Sequence, residues 1–219
     1  MTRSAAMVAA ALAAATIGLP ALTSPPASAH ASVVSRYPAE GAVLASTPSV
    51  ARVTFNESVT GGSDALQVVN SSGAVMSASP RVSGGSVSTS VSRLRPGRYA
   101  LVWRVVSEDG HPVTQASGFS VGRADPAASA VTVRLSGTRV TLSGNRVGTR
   151  SLALDDALRG AIGQVEWRFP GLSAPFTWPL SSGRARGMLP FAGTYSVVIR
   201  AYTSATSSRT LVGTVRIQA

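Results

Sequence analysis

The sequence predicts an all-β protein made of two antiparallel Greek-key β-sandwich domains. Three observations point there. Short runs of alternating or β-branched residues recur along the chain, each closed off by Gly, Pro, Ser or Asn. No stretch beyond residue 30 sustains a helical period, apart from one possible turn at 154–158. A Gly-x-Tyr corner leading into an apolar strand occurs twice, once in each half of the chain.

Taken in order, residues 1–29 read as a secretory signal. Arg3 supplies the positive start, 7–22 an Ala- and Leu-rich apolar stretch, and Thr23-Ser24-Pro25-Pro26 a break before Ala27-Ser28-Ala29. The apolar stretch is short for a membrane span and is interrupted by Gly18 and Pro20. Cleavage after Ala29 is therefore expected, with a secreted or extracytoplasmic product in the periplasm or cell envelope. Of the 219 residues, 190 then remain, enough for two small cores.

Strands are expected at 32–35, 50–55, 66–69, 86–91, 99–106 and 118–121, where Val, Leu, Tyr, Trp and Phe alternate with small or polar residues. Around 122–130 the texture changes to Gly-Arg-Ala-Asp-Pro-Ala-Ala-Ser-Ala, without a large apolar side chain. A division follows: a first domain at 30–122, a linker at 123–130 and a second domain at 131–219. Further strands are expected at 131–135, 138–142, 151–154, 164–169, 195–201 and 211–217. The echo between halves is Leu94-Arg95-Pro96-Gly97-Arg98-Tyr99 against Leu189-Pro190-Phe191-Ala192-Gly193-Thr194-Tyr195. In immunoglobulin-like sandwiches a tyrosine at such a corner bonds back to the backbone and fixes the turn into a core strand.

Composition narrows the function. Cysteine is absent, which removes disulfides, thiolate metal sites and cysteine nucleophiles. Residues 30–122 carry 7 Arg against 5 acids and 123–219 carry 12 Arg against 4, so the second half is the basic one. Its arginines are scattered rather than clustered with aromatics, which argues against nucleic acid and for acidic envelope polymers or anionic headgroups. No glycine-rich phosphate loop or nucleophile elbow is present.

The chain has two histidines, His30 and His111. Cleavage after Ala29 would make His30 the first residue, offering an α-amine and an imidazole to one ion. His111 follows Asp109 by two positions, and residues two apart on an extended strand point to the same side. Amine, imidazole and carboxylate donors in a tetragonal set suit Cu(II), with Ni(II) and Zn(II) behind it. Asp109-Gly110 is at the same time a strong hairpin-turn signal.

The first domain resembles the CopC family of extracytoplasmic copper-binding proteins. The resemblance lies in His30-Ala31, Tyr37-Pro38-Ala39-Glu40-Gly41-Ala42, Val53-Thr54-Phe55-Asn56-Glu57, Gly97-Arg98-Tyr99, and the run from Trp103-Arg104-Val105-Val106 through Ser107-Glu108-Asp109-Gly110-His111-Pro112-Val113. It implies a cupredoxin-like sandwich that binds Cu(II) through His30, Asp109 and His111, with Glu57 as a weak or outer ligand. It also implies a role in copper homeostasis or resistance, with a CopD-like membrane copper transporter as candidate partner. Some members add a methionine-rich Cu(I) site. Here only Met76 and Met188 follow the signal segment, so a Cu(II) site alone is expected.

Trp103 is expected in the core, and Arg104 beside a carboxylate such as Glu57 or Asp109. A non-enzymatic binder is the leading reading. A copper-brace redox enzyme and an envelope-associated interaction module without metal are the other two classes that fit these residues.

Overall fold

Alternation along the strands sorts side chains between core and solvent: Val50–Phe55 buries Ala51, Val53 and Phe55 while exposing Arg52. The computed structural model describes residues 31–219. The expected signal segment and His30 lie outside the described residues. The described chain is β throughout except for one 3-10 turn at Asp156–Leu158, where the single helical turn was expected.

The first half contains β1 (Val33–Tyr37), β2 (Val43–Leu44), β3 (Val50–Phe55), β4 (Val59–Thr60), β5 (Leu66–Val69), β6 (Arg81–Ser83), β7 (Ser86–Ser90), β8 (Gly97–Ser107) and β9 (Pro112–Val121). One sheet runs β1-β3-β7-β6. It faces the long β8–β9 hairpin, which β4 and β5 join along β8 and β2 along β9. Between the layers pack Val53, Phe55, Leu66, Val87, Leu101, Trp103 and Phe119. Trp103 is 1% exposed, as its place in the alternation of Tyr99, Leu101 and Trp103 requires.

The second half contains β10 (Val131–Leu135), β11 (Thr138–Leu142), β12 (Gly148–Leu154), β13 (Ile162–Arg168), β14 (Phe176–Leu180), β15 (Arg184–Leu189), β16 (Gly193–Ser204) and β17 (Ser207–Ile217). Its sheets are β10-β11-β12-β15 and β17-β16-β13-β14, closed over Trp167, Trp178, Tyr195, Leu142 and Leu152. Residues 123–130 form no strand. The two sandwiches touch intimately. A single parallel bridge, Phe176↔Ala116, links β14 to β9, and Ala100, Val102 and Ala116 on the back of the hairpin belong to the second core.

Both tyrosine corners form. Tyr99 donates its hydroxyl proton to the Arg95 carbonyl at 2.8 Å, and Tyr195 donates to the Phe191 carbonyl at 3.0 Å. The strands that sequence reading passed over have physical reasons to be faint. β2 and β4 are two residues long, and β14 contains Pro179. In β15 the first four residues alternate Arg184 and Arg186 with the small Ala185 and Gly187, and only Met188 and Leu189 at its end bury large side chains. Gly187 is demanded by packing, because a Cβ there would come within 2.0 Å of Trp178 Nε1.

Candidate metal centre

The turn that joins β8 to β9 carries Asp109 and His111. Its hydrogen bonds run from the Gly110 N–H to the Ser107 carbonyl (2.9 Å) and from the Ser107 N–H to the His111 carbonyl (3.0 Å). Gly110 has φ +84°, a conformation glycine adopts without penalty. The hairpin signal and the Asp-Gly-His motif are therefore one structure. Asp109 and His111 meet because this turn curls back on itself, whereas an extended strand was expected to bring them side by side. The Asp109 Oδ2 and His111 Nδ1 atoms lie 3.1 Å apart.

Ser107 organises the turn from beneath. Its buried hydroxyl accepts from the His111 N–H at 3.2 Å and shares its proton between the His111 carbonyl, at 2.8 Å, and Asp109 Oδ1. Asp109 Oδ1 also accepts from the His111 N–H at 3.2 Å. The Asp109 carboxylate is thus held by its neighbours, with 22% of its side chain exposed. The His111 ring is 62% exposed, at the rim.

Glu57, at the end of β3, accepts from the Glu108 N–H through Oε1 at 3.3 Å, which ties it to the same turn. Next to it, Asn56 clamps the beginning of the described chain. Its Oδ1 accepts from the Ser32 N–H at 2.6 Å, and its own N–H donates to the Ser32 carbonyl at 3.1 Å. Ala31 is buried in the first core. Chain start, Glu57 and the Asp109–His111 turn therefore share one end of the first sandwich.

Among the described residues no group of three or more His, Asp, Glu or Cys side chains converges on one point. The pair itself fits an ion. Donors about 2.0 Å from a metal at right angles to each other are about 2.8 Å apart, so an Asp109–His111 separation of 3.1 Å suits two neighbouring coordination positions. The further donors assigned by sequence belong to His30, outside the described residues.

One expectation about a neighbouring side chain changes. Arg104 reaches neither Glu57 nor Asp109. It pairs with Asp64 at 3.2 Å and donates to the Ser173 carbonyl of the second sandwich at 3.3 Å, because its side of β8 faces that sandwich. Asn56 and Ser107 stood inside the quoted motifs without a role. Their signal was position, immediately beside Glu57 and two residues before Asp109.

A family model described as the CopC domain matches residues 33–122. Copper resistance protein C of Pseudomonas syringae pv. tomato is 36% identical over 110 residues, an alignment that takes in 46% of this chain and 86% of that protein. The chain belongs to the CopC family. The copper transport protein CutJ of Bacillus subtilis is 33% identical over 102 residues, 44% of this chain but 19% of CutJ, so the chain spans about a fifth of that relative. Among solved structures, CopC from Methylosinus trichosporium OB3b aligns with 45% of this chain and 99% of its own at 21% identity, with a TM-score of 0.40. In this CopC domain the matched segment holds Glu57, Asp109 and His111 together with Asn56 and Ser107.

Proposed function

We propose that this chain is an exported copper-binding protein that sequesters, buffers or delivers Cu(II). The ion would be held by the His30 amine and imidazole, Asp109 and His111, with Glu57 as an outer or weak ligand. The single observation that carries the reading is the Asp109 Oδ2–His111 Nδ1 pair, 3.1 Å apart on a turn that Ser107 holds in shape. Family membership supports copper as the metal, since a relative covered over most of its length is a copper resistance protein. The division into a signal at 1–29, a copper domain at 30–122, a linker at 123–130 and a second domain at 131–219 belongs to the same proposal. So do a membrane copper transporter and an anionic envelope surface as partners.

The donor set favours holding the ion over cycling it. A carboxylate beside two imidazoles and an amine adds negative charge, which stabilises Cu(II) relative to Cu(I). Protons compete with copper for the amine and imidazole nitrogens, so affinity falls as pH drops. The test is the intact mass of the secreted protein with and without Cu(II), followed by Cu(II) titration of wild type and His111→Ala. A first residue of His30, one bound copper and a large loss in the variant are expected. Equal binding by His111→Ala, or a first residue other than His30, would refute the ligand set.

A further inference from the structure

Part of the second sandwich's positive charge is gathered on one face. In the sheet β10-β11-β12-β15, the residues alternating with buried Leu135, Val140, Leu142 and Ala185 point outward, and they include Arg134, Arg139, Arg184 and Arg186, all exposed. Arg134 and Arg139 stand directly opposite each other in register, an arrangement that costs stability when the charges are alike. Arg184 and Arg186 are two residues apart on β15, opposite Ala153 and Ser151. Among the described residues, Arg36, Arg104, Arg159, Arg168 and Arg200 have acidic partners at ion-pair distance, and these four do not. Asp155 and Asp156 directly follow β12, and Asp156, which is paired with Arg159, lines a neighbouring hollow together with Arg184.

An open groove of about 550 Å3 lies on the β11, β12 and β15 part of this face, lined by Thr141, Ser143, Ser151, Pro179, Arg184 and Arg186 among others, with no acidic residue in its walls; Arg139 and Arg134 lie beyond its lining, on the β10–β11 side. Arg184 and Arg139 are two strands and one two-residue step apart, about 12 Å between backbones. We infer that this face binds a linear, phosphate-bearing polymer, laid along the groove from Arg184 and Arg186 toward Arg139 and Arg134.

Guanidinium groups engage phosphate oxygens through paired N–H donors, and the Thr141, Ser143 and Ser151 hydroxyls supply neutral donors between the two arginine pairs. A bilayer is the poorer match. The face is concave, and its outward positions, Thr132, Arg134, Arg139, Thr141, Ser151, Arg184 and Arg186, offer no large apolar side chain to insert. Retaining two like charges in direct opposition is accounted for by a polyanion that neutralises both.

The experiment measures binding of a short linear polyphosphate to the purified protein without copper, at moderate ionic strength. Wild type is compared with Arg134→Gln/Arg139→Gln/Arg184→Gln/Arg186→Gln and with Arg52→Gln/Arg81→Gln/Arg209→Gln/Arg216→Gln, which removes the same charge from exposed positions elsewhere. The groove variant should lose about thirtyfold and keep its thermal midpoint, since opposed charges are removed. A loss at least threefold greater than in the control variant supports the site. A smaller difference, absent wild-type binding, or preference for phosphatidylglycerol vesicles over the polymer would overturn it. Because copper is left out, the outcome is separate from that of the copper titration.

Discussion

Asn56→Ala tests whether the chain start is positioned for metal binding. The Asn56 side chain accepts the Ser32 N–H at 2.6 Å, two residues from His30, while the backbone bond from the Asn56 N–H to the Ser32 carbonyl survives the substitution. From Val33 onward β1 is held by its pairing with β3, so the clamp governs only Ala31 and Ser32. The lost hydrogen bond is worth about 1 kcal/mol. Ordering one freed residue on binding costs a further 1 kcal/mol or so, making about 1–2 kcal/mol in all. Affinity for Cu(II) should then fall about five- to thirtyfold.

The assay is competition against a chromophoric Cu(II) chelator, with electron paramagnetic resonance confirming that the donor set is unchanged. A cycle isolates the mechanism. If Asn56 acts through the terminal donors, adding one Gly ahead of His30 should weaken binding by itself and leave Asn56→Ala with little more to remove. An Asn56→Ala affinity within twofold of wild type would refute the positioning role, as would an undiminished effect in the Gly-extended protein.

Three further outcomes concern stability. Tyr195→Phe should cost about 2–4 kcal/mol in denaturant unfolding, because it leaves the Phe191 N–H and carbonyl buried without their partner, and Tyr99→Phe about 1 kcal/mol, because the exposed Arg95 can hydrate. Burial pushes the Glu166 carboxyl up, but the hydrogen bond and charge of Arg200 and then those of Arg168 outweigh it and hold it below its ordinary value. Its contribution is therefore present above pH 4.5 and lost as pH falls below it, and Glu166→Gln should flatten the acid limb of a melting-temperature profile. Burial raises the Glu40 carboxyl despite the Met188 N–H at 2.6 Å and the Arg36 charge. The stability linked to it is present at low pH and lost as pH rises, so Glu40→Gln should raise the melting temperature near pH 7 and leave it unchanged near pH 4.

Legibility in the sequence followed the strength of each local signal. Trp103 and both tyrosine corners were readable because alternation and a fixed glycine-to-tyrosine spacing act within a few residues. β14 and β15 were not, since Pro179 reads as a breaker and Gly187 as a weak strand residue until Trp178 is seen lying over it. The Asp109–His111 pair was readable as composition and misread as geometry. A turn with Gly110 at positive φ, rather than strand alternation, brings the two together. The partner of Arg104 was beyond sequence reasoning, because Asp64 and Ser173 reach it only through tertiary packing of both sandwiches.

That packing bears on the Asp109–His111 turn itself. The β8–β9 hairpin is buried on two sides: Tyr99, Leu101, Trp103, Val105 and Phe119 face the first core, while Ala100, Val102 and Ala116 face the second. The back face uses small residues because the second sandwich comes close. At Gly118 a Cβ would sit 2.9 Å from Met188, and the Ala116 N–H donates to the Pro175 carbonyl at 2.8 Å. A hairpin gripped from both sides has less freedom to splay at its tip. The second sandwich thus braces the hairpin that carries Asp109 and His111 at its tip, and its own basic face points outward on a sheet apart from that hairpin.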